Sequence, residues 1–195
     1  VILFPEESMV LDRSVVLDTE SRNIDGASSA NKVGQLFDKL TAHNHFDLYY
    51  KKIDSTLRGN IKEEVAVIME KIGAEKLLFA PAFPEIGRTT LDGVPYVNGE
   101  RLRETECAQD PIKPLVSDEL KDFLPSYQTQ HHSLDEVESG SLYLSGAFAH
   151  TFDADKFSDL VEIAKAGLAL EEKVLWIGSA GLAEAIFYTM QPKPP

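Results

Sequence analysis

The stretch "LYYKKIDSTLRGNIKEEVAVI", residues 48–68, joins a strand pattern to a helix pattern through one short polar turn. Residues 48–50 are typical of a buried strand, and from residue 61 onward apolar side chains recur at the spacing of one helical face. Asn60 is the expected N-cap of this helix, with Glu63 reaching back in a capping box. The stretch therefore predicts a strand, a tight turn and a helix in direct succession, which is the repeating unit of an α/β fold.

The same alternation extends through the rest of the chain. Further strand patterns occupy residues 1–4, 15–17, 76–80, 142–148 and 174–177. Helical periodicity is seen at Val33, Leu36, Phe37 and Leu40, at Phe157, Leu160, Val161, Ala164 and Leu168, and after Ser179. This order predicts an α/β, Rossmann-like three-layer fold, in which a mostly parallel sheet carries helices on both faces.

Two segments depart from the alternation. Residues 93–105, "GVPYVNGERLRET", carry Asn98-Gly99 between two extended stretches, which is a strong signal for a type I′ β-hairpin. We expect this inserted hairpin to form a flap or an edge. Residues 125–140 are polar and are expected to form a surface connection. Farther along the chain, Asp153 is the expected N-cap of the helix that contains Phe157 and Leu160.

The composition excludes several classes of function. The chain has 195 residues, of which 43% are hydrophobic and 26% charged, as in an ordinary globular protein. No apolar run approaches the roughly 20 residues that a membrane span needs. A formal net charge of −13 argues against nucleic acid as a partner. The single cysteine, Cys107, favours a cytoplasmic protein, and the histidines lack the spacing of a metal site.

The turn after residue 50 concentrates the chemistry of an anion site. Ser55, Thr56 and Arg58 supply hydroxyl and guanidinium donors, and Gly59 leads into a helix N-terminus, where free amides attract negative charge. Asp54 cannot bind an anion, but it can accept a hydrogen bond or a proton from a substrate hydroxyl. The turn thus fits a ligand with both a carboxylate and hydroxyls. A helix cap beside a surface arginine remains the simpler alternative.

Two other strand ends carry polar or glycine-rich loops. "PAFPEIGRTT", residues 81–90, offers Arg88, Thr89 and Thr90 as further donors, although a tight exit from a strand explains it equally well. "GSAGLA", residues 178–183, is neither a Walker A loop nor GxGxxG, and close strand–helix packing accounts for its glycines. Asp110-Pro111 is most simply a turn.

Four ordered motifs resemble the amino-terminal domain of the four-carbon acid sugar kinase family. They are "VVLDTESR" at 15–22, "KKIDSTLRGNIKEE" at 51–64, "PAFPEIGRTTLDGVPYVNGERLRETECAQDPIKP" at 81–114 and "WIGSAGLAEA" at 176–185. The resemblance implies an enzyme of two α/β domains. The amino-terminal one binds the sugar acid, the carboxyl-terminal one binds ATP and magnesium, and threonate, erythronate or 3-oxo-tetronate is phosphorylated in the cleft between them.

The resemblance also implies which residues form the site. Asp54 is the candidate catalytic residue. The candidate substrate contacts are Lys52, Ser55, Arg58, Gly59, Arg88, Thr89 and Asp18. We expect Arg58 and Arg88 to hold the carboxylate. For Asp18 and Arg22, a structural ion pair is an equal alternative to a role at the substrate. No residue of this chain is expected to bind a cofactor or a metal.

The chain also departs from the family pattern. It lacks the family's first strand and Ala-Asp-Asp-Leu-Thr-Gly-Ala motif, and His150 stands where the family has Asp. We therefore expect residues 1–190 to be a sugar-acid-binding domain without its first strand, and 191–195 to begin a linker to an absent ATP-binding domain. An open sheet edge would favour a homodimer or a domain swap. The functional alternatives are a non-catalytic binding module for small hydroxy acids and an unrelated doubly wound enzyme.

Overall fold

The fold is an open parallel sheet with a small antiparallel sheet beside it. The computed structural model describes residues 14–125 and 127–191. The strands are β1 (Tyr49–Lys52), β2 (Lys76–Ala80), β3 (Arg88–Leu91), β4 (Val94–Val97), β5 (Glu100–Arg101), β6 (Thr129–His132), β7 (Ala149–Phe152) and β8 (Val174–Gly178). The helices are α1 (Gly26–Thr41), α2 (Ile61–Ile72), α3 (Leu134–Glu138), α4 (Phe157–Leu168) and α5 (Ala180–Met190).

The main sheet confirms the predicted fold class. Its strands run in the order β1-β8-β2-β7-β6, and every neighbouring pair is parallel. Alternate residues of β2 enter two different cores: Leu77 and Phe79 pack with α2, whereas Leu78 and Ala80 pack with α4 and α5. Because successive strand side chains point to opposite faces, this division shows helices on both sides of the sheet.

The predicted hairpin is also confirmed, and it is longer than the sequence indicated. β3, β4 and β5 form an antiparallel sheet with two tight turns, at Asp92-Gly93 and Asn98-Gly99, whose four residues all have positive φ. The first strand, β3, begins at Arg88, inside the segment that the sequence placed in a loop. The hairpin is tied to the main sheet by Asp153, whose carboxylate accepts the amides of Asp92 (2.8 Å) and Gly93 (3.0 Å).

Several local predictions were wrong. Asp153 does not cap α4, because its carboxylate is used by the hairpin, and Asp159 instead accepts the amides of residues 155 and 156. The strand predicted at 142–148 lies at Ala149–Phe152, after a turn in which Gly146 has a φ of 90°. Residues 125–140 hold β6 and α3. Of residues 15–17, only Leu17 forms a β-bridge, while residues 1–4 and 192–195 lie outside the described residues.

A buried histidine pair joins β6 to β7. His132 Nε2 lies 2.9 Å from His150 Nδ1, and the two rings stack with Phe152. Burial, with smaller contributions from His132 and Lys76, lowers the pKa of His150 to about 4, and burial likewise lowers the pKa of His132. The pair is therefore neutral at physiological pH. The contact between His132 Nε2 and His150 Nδ1 explains how a strand that reads "TQHH" can lie in the sheet, although His150 Nε2 is buried without a hydrogen-bond partner among the described residues.

We expect this pair to make the fold acid-sensitive at unusually mild pH. The unfolded His150 takes up a proton near pH 6.5, whereas the folded one stays neutral down to about pH 4. A group with a lowered folded pKa stabilises the protein above its unfolded pKa, so this stability is lost as the pH falls between these values. The loss amounts to about 3 kcal/mol for His150 alone. Urea unfolding at pH 7, 6, 5 and 4 measures it, and His150→Asn, which keeps a polar atom near Nδ1, is the control. If the free energy of unfolding fell equally with pH in wild type and in His150→Asn, the prediction would be contradicted.

Among the described helices, none is long and apolar enough to cross a membrane.

Candidate functional site

The polar turn after β1 lies at the carboxyl edge of the sheet. β8 lies between β1 and β2, so Gly178 is paired with both Lys52 and Ala80. The Ile53 amide then donates to the Gly178 carbonyl (2.8 Å), which fixes the start of the turn against the end of β8. Ligands of open α/β sheets bind at this edge, and the sequence placed its candidate loops there for that reason.

A cavity of about 480 Å³ opens beside this turn. Its walls come from residues 18–23, from the end of β1 and from the start of α2. Five of the predicted site residues line it: Asp18, Lys52, Asp54, Arg58 and Gly59. These five residues, predicted to form one site, thus lie around one cavity.

The remaining three candidates lie outside the cavity lining. Ser55 belongs to the turn itself, and Arg88 and Thr89 belong to β3. Arg88 donates from Nη1 to the Ile86 carbonyl (3.3 Å), and its buried Nε has no hydrogen-bond partner among the described residues. The structure thus places Arg88 and Thr89 on the hairpin, outside the lining of the cavity.

The turn is built around Asp54. The Leu57 amide donates to the Asp54 carbonyl (2.9 Å), and Leu57 adopts a φ of 57° while its side chain is buried. Thr56 donates from its amide to Asp54 Oδ1 (3.3 Å) and from its hydroxyl to Oδ2 (2.9 Å). Gly59 has a φ of 111°, a conformation that side chains rarely adopt. Local hydrogen bonds and backbone geometry therefore hold the carboxylate in place.

Arg58 lies between two carboxylates. Its Nε donates to Asp54 Oδ2, and its Nη1 lies 3.5 Å from Asp110 Oδ2. Burial raises the pKa of Asp54, but hydrogen bonds from Arg58 and Thr56 outweigh burial and hold this pKa below its ordinary value. The hydrogen bond to Asp54 in turn raises the pKa of Arg58. Asp54 is therefore a stable anion that accepts hydrogen bonds well and takes up protons poorly.

A second charged network lies in the wall of the cavity. Glu64, on α2, is almost fully buried and pairs with Lys51 Nζ. Its other oxygen accepts the hydroxyls of Ser21 (2.6 Å) and Ser29 (2.5 Å). Burial raises the pKa of Glu64, but the charge of Lys51 and these hydrogen bonds outweigh it and lower that pKa overall. The network ties β1, α1, α2 and the 18–23 wall together.

Asn60 stands at the predicted N-cap position of α2, but its side chain holds this wall and forms no capping box with Glu63. Its side-chain amide donates to the carbonyls of Ser21 (2.9 Å) and Ile24 (3.0 Å), and its oxygen accepts from Lys113 Nζ (3.0 Å). No side-chain hydrogen bond of Asn60 caps α2. The tertiary contacts engage both ends of the amide and leave nothing for the helix.

A cluster of three carboxylates, outside the cavity, is a poor site for a metal ion. Ligand oxygens of Glu138, Asp155 and Asp159 lie within 4.8 Å of one another near the start of α4. Lys156 pairs with Glu138 and lies 3.8 Å from Asp159, so an ammonium already compensates their charge. We assign no metal to it.

Comparison with known proteins agrees with this architecture. Residues 2–186 match a family described as the sugar-binding N-terminal domain. The chain belongs to this family. Within the family, it is 36% identical to a D-threonate kinase of Salmonella typhimurium over 88% of its length and 43% of the relative's. It is 26% identical to a D-erythronate kinase of Heliobacterium modesticaldum over 92% of its length and 44% of the relative's. The chain thus spans less than half the length of these curated relatives.

Solved structures of similar chains share the fold of this sugar-binding domain. A Bordetella bronchiseptica protein, described as a domain-swapped dimer with bound citrate, has a TM-score of 0.76 and 30% identity, covering 87% of this chain and 44% of its own. A Haemophilus influenzae protein has a TM-score of 0.78 and 22% identity, covering 94% of this chain and 48% of its own. At that lower identity the likeness supports the fold alone.

Sequence reasoning did not place Glu64 or Asp110 in the region of the cavity. Asp110 was interpreted as a turn residue, and its Oδ1 does accept the amides of Ile112 (2.9 Å) and Lys113 (3.0 Å). Its other oxygen faces Arg58, a contact across 52 residues that local sequence cannot reveal. For Glu64 a signal existed, because an acidic residue on the apolar face of α2 demands a partner.

Proposed function

We propose that this chain is the substrate-binding part of an ATP-dependent kinase that phosphorylates a hydroxyl of a four-carbon sugar acid. The substrate would be threonate, erythronate or 3-oxo-tetronate. The observation that carries the proposal is the Asp54–Arg58 unit on a cavity at the carboxyl edge of the sheet. Its support comes from relatives that are named D-threonate, D-erythronate and 3-oxo-tetronate kinase.

In this proposal Asp54 is the catalytic residue because it contacts the reacting part of the substrate. Its Oδ2 is engaged by Thr56 and Arg58, whereas Oδ1 accepts, among the described residues, only the long 3.3 Å bond from the Thr56 amide. Oδ1 therefore has capacity to accept a hydrogen bond from a substrate hydroxyl. Phosphoryl transfer requires mainly that this hydroxyl be positioned in line with the phosphate. A carboxylate with a lowered pKa suits positioning better than proton abstraction.

The nucleotide would be held elsewhere in the full-length protein. The glycine turn at 178–183 does not fit a phosphate cradle, since packing already uses the space at both of its glycines. A Cβ on Gly178 would lie 2.6 Å from the Tyr50 hydroxyl, and one on Gly181 would lie 2.7 Å from the Ala82 carbonyl oxygen. We therefore assign ATP and magnesium to a separate carboxyl-terminal domain, the proposed partner of residues 1–190 through a linker at 191–195.

The other candidate contacts divide by position. Lys52, Asp18 and Gly59 line the cavity, and we propose that they contact the acid directly. Ser55, Arg88 and Thr89 would contact only a ligand that extends out of the cavity toward the hairpin. We further propose a cytoplasmic homodimer; the domain-swapped dimer of the Bordetella bronchiseptica relative supports the dimer.

A non-catalytic binding module for small hydroxy acids is the second candidate. The observation that favours it is the citrate bound to the Bordetella bronchiseptica relative, since citrate is a hydroxy acid of this chemical class.

One experiment separates the two functions. ATP consumption by the full-length gene product is measured against a panel of four-carbon sugar acids, with neutral tetroses as the control. We expect ADP release with one acid and not with the tetroses, which would also identify the substrate. Binding of the acids without turnover would favour the module, and neither binding nor turnover would contradict both functions.

A further inference from the structure

We propose that Asp110, which lies outside the cavity lining, is a positioning residue that orders the guanidinium of Arg58. It acts through Arg58 and not by contact with the substrate. This inference rests on the proposed function, because it names the residue that holds the Asp54–Arg58 unit in the arrangement that positions the substrate hydroxyl.

The sequence around Asp110 shapes a turn that presents its carboxylate. Pro111 disfavours helical backbone in the residue before it, and Asp110 accordingly ends a short 3-10 turn (Glu106–Gln109) with a φ of −57° and a ψ of 122°. Asp110 Oδ1 then accepts the amides of Ile112 (2.9 Å) and Lys113 (3.0 Å), as in an Asx turn. One oxygen of the carboxylate is used by its own turn, which fixes the direction of the other.

The segment that carries this turn is anchored on both sides. Leu115 donates its amide to the Ala108 carbonyl (3.1 Å), and its side chain packs against the core on the α2 side of the sheet. Lys113 Nζ donates to Asn60 Oδ1 (3.0 Å), next to the first residue of α2. The turn is therefore held against the start of α2 and presents a carboxylate of fixed position.

The guanidinium of Arg58 is held at two of its nitrogen atoms. Nε donates to Asp54 Oδ2, and Nη1 lies 3.5 Å from Asp110 Oδ2. Because the guanidinium is planar, contacts at two nitrogens define its plane, whereas a single contact leaves it free to rotate about that bond. Asp54 shares a turn with Arg58, so Asp110, 52 residues away in the chain, is the contact that connects this unit to a separate segment.

Asp110 also serves as an anion between two arginines. The amides of its own turn lower its pKa, and the charges of Arg58 and Arg22 lower it further. Arg22 approaches from the other wall of the cavity, where its Cγ lies 3.3 Å from the position that a Cβ on Gly59 would take. Loss of the Asp110 charge would therefore loosen Arg58 and at the same time make the cavity more attractive to an anion.

The kinetics of the full-length protein, measured with the sugar acid that the panel identifies, test this inference. Asp110→Asn keeps an oxygen for the two amides of the turn and removes the charge that faces Arg58. We expect kcat to fall by about 10-fold, because a loosely held Asp54–Arg58 unit aligns the hydroxyl less often. The KM for the acid should not rise, since a repelling charge is removed. Asp122→Asn, the same change at an exposed carboxylate outside the cavity lining, is the matched control.

Two further measurements separate positioning from a structural defect. In an Arg58→Lys background, Asp110→Asn should change kcat by less than about twofold, because a lysine cannot contact two carboxylates through separate nitrogens. NMR relaxation of the arginine side chains in the full-length protein follows the Nε–H of Arg58, which is identified by its absence in Arg58→Lys. Its heteronuclear NOE should fall in Asp110→Asn and stay unchanged in Asp122→Asn.

The outcomes are distinct. A loss of kcat without a rise in KM, suppressed by Arg58→Lys and accompanied by a more mobile Arg58, supports the inference. It is overturned by an unchanged kcat, by a rise in KM as in Arg58→Ala, or by losses that multiply in the double variant. If wild type turns over no acid of the panel, the proposed function fails, and the NMR measurement alone decides whether Asp110 orders Arg58.

Discussion

Replacing Arg58 by alanine in the full-length protein is expected to raise the KM for the sugar acid by about 100-fold, the effect of losing up to roughly 3 kcal/mol of charge-assisted bonding. The KM for ATP should stay nearly unchanged. Without the guanidinium of Arg58, Asp54 and Asp110 remain as two uncompensated carboxylates beside the cavity. They would repel an anionic ligand, and the pKa of Asp54 would rise because its strongest hydrogen bond is lost.

A matched control exists in the hairpin. Arg101 forms a two-point pair with the nearly fully buried Asp118 (2.7 and 3.1 Å), away from the cavity. Arg101→Ala should lower stability and leave both KM values unchanged. Arg58→Ala should also weaken the binding of the neutral amide of the acid, because the hydroxyl acceptor Asp54 loses the hydrogen bond that holds it. Equal KM for the acid in wild type and Arg58→Ala would remove Arg58 from the site.

The largest expected effect on stability is at Glu64. Glu64→Gln removes the counter-charge of Lys51 in a site where the side chain of Glu64 is only 4% exposed and that of Lys51 is 17% exposed. Breaking a buried pair from one side leaves an uncompensated charge and costs about 3–5 kcal/mol. We expect the free energy of unfolding, measured by urea denaturation at pH 7, to fall by that amount.

Two further variants show whether burial of the charge is the cause. Asp38→Ala breaks the Lys71 pair, in which Asp38 is 63% exposed, and should cost less than about 1 kcal/mol. Lys51→Met combined with Glu64→Gln removes both charges and should be more stable than Glu64→Gln alone, which a double-mutant cycle measures as coupling. A simple sum of the two single losses would contradict this account of Glu64.

The parts of the fold that sequence predicts well are those with local signals. Apolar periodicity located α1, α2, α4 and α5, and Asn98-Gly99 located the hairpin, since each pattern reflects packing within a few residues. The strand β6 was missed because its polarity is satisfied by a tertiary contact, His132 with His150. Asp153 and Asn60 were interpreted as helix caps, and in both cases distant backbone groups compete successfully for the side chain.

In the candidate site, too, residues with a local sequence signal were predicted and residues that depend on distant contacts were not. Asp54, Arg58 and Gly59 were found together because they share one turn, and the family resemblance added Asp18 and Lys52. Arg22 was noted only as a possible partner of Asp18 in an ion pair. The pairs of Lys51 with Glu64 and of Arg58 with Asp110 join residues that are distant in the chain, and such pairs have no signature in local sequence.

The order of strands also bears on how the protein is made. β8 is the last strand of the described chain, yet it lies between β1 and β2, and its Gly178 carbonyl holds the amide of Ile53. A growing chain that has emerged from the ribosome only as far as α4 therefore lacks the strand against which the Asp54 turn is fixed. Synthesis must extend past residue 178 before the Asp54 turn can be fixed against the end of β8.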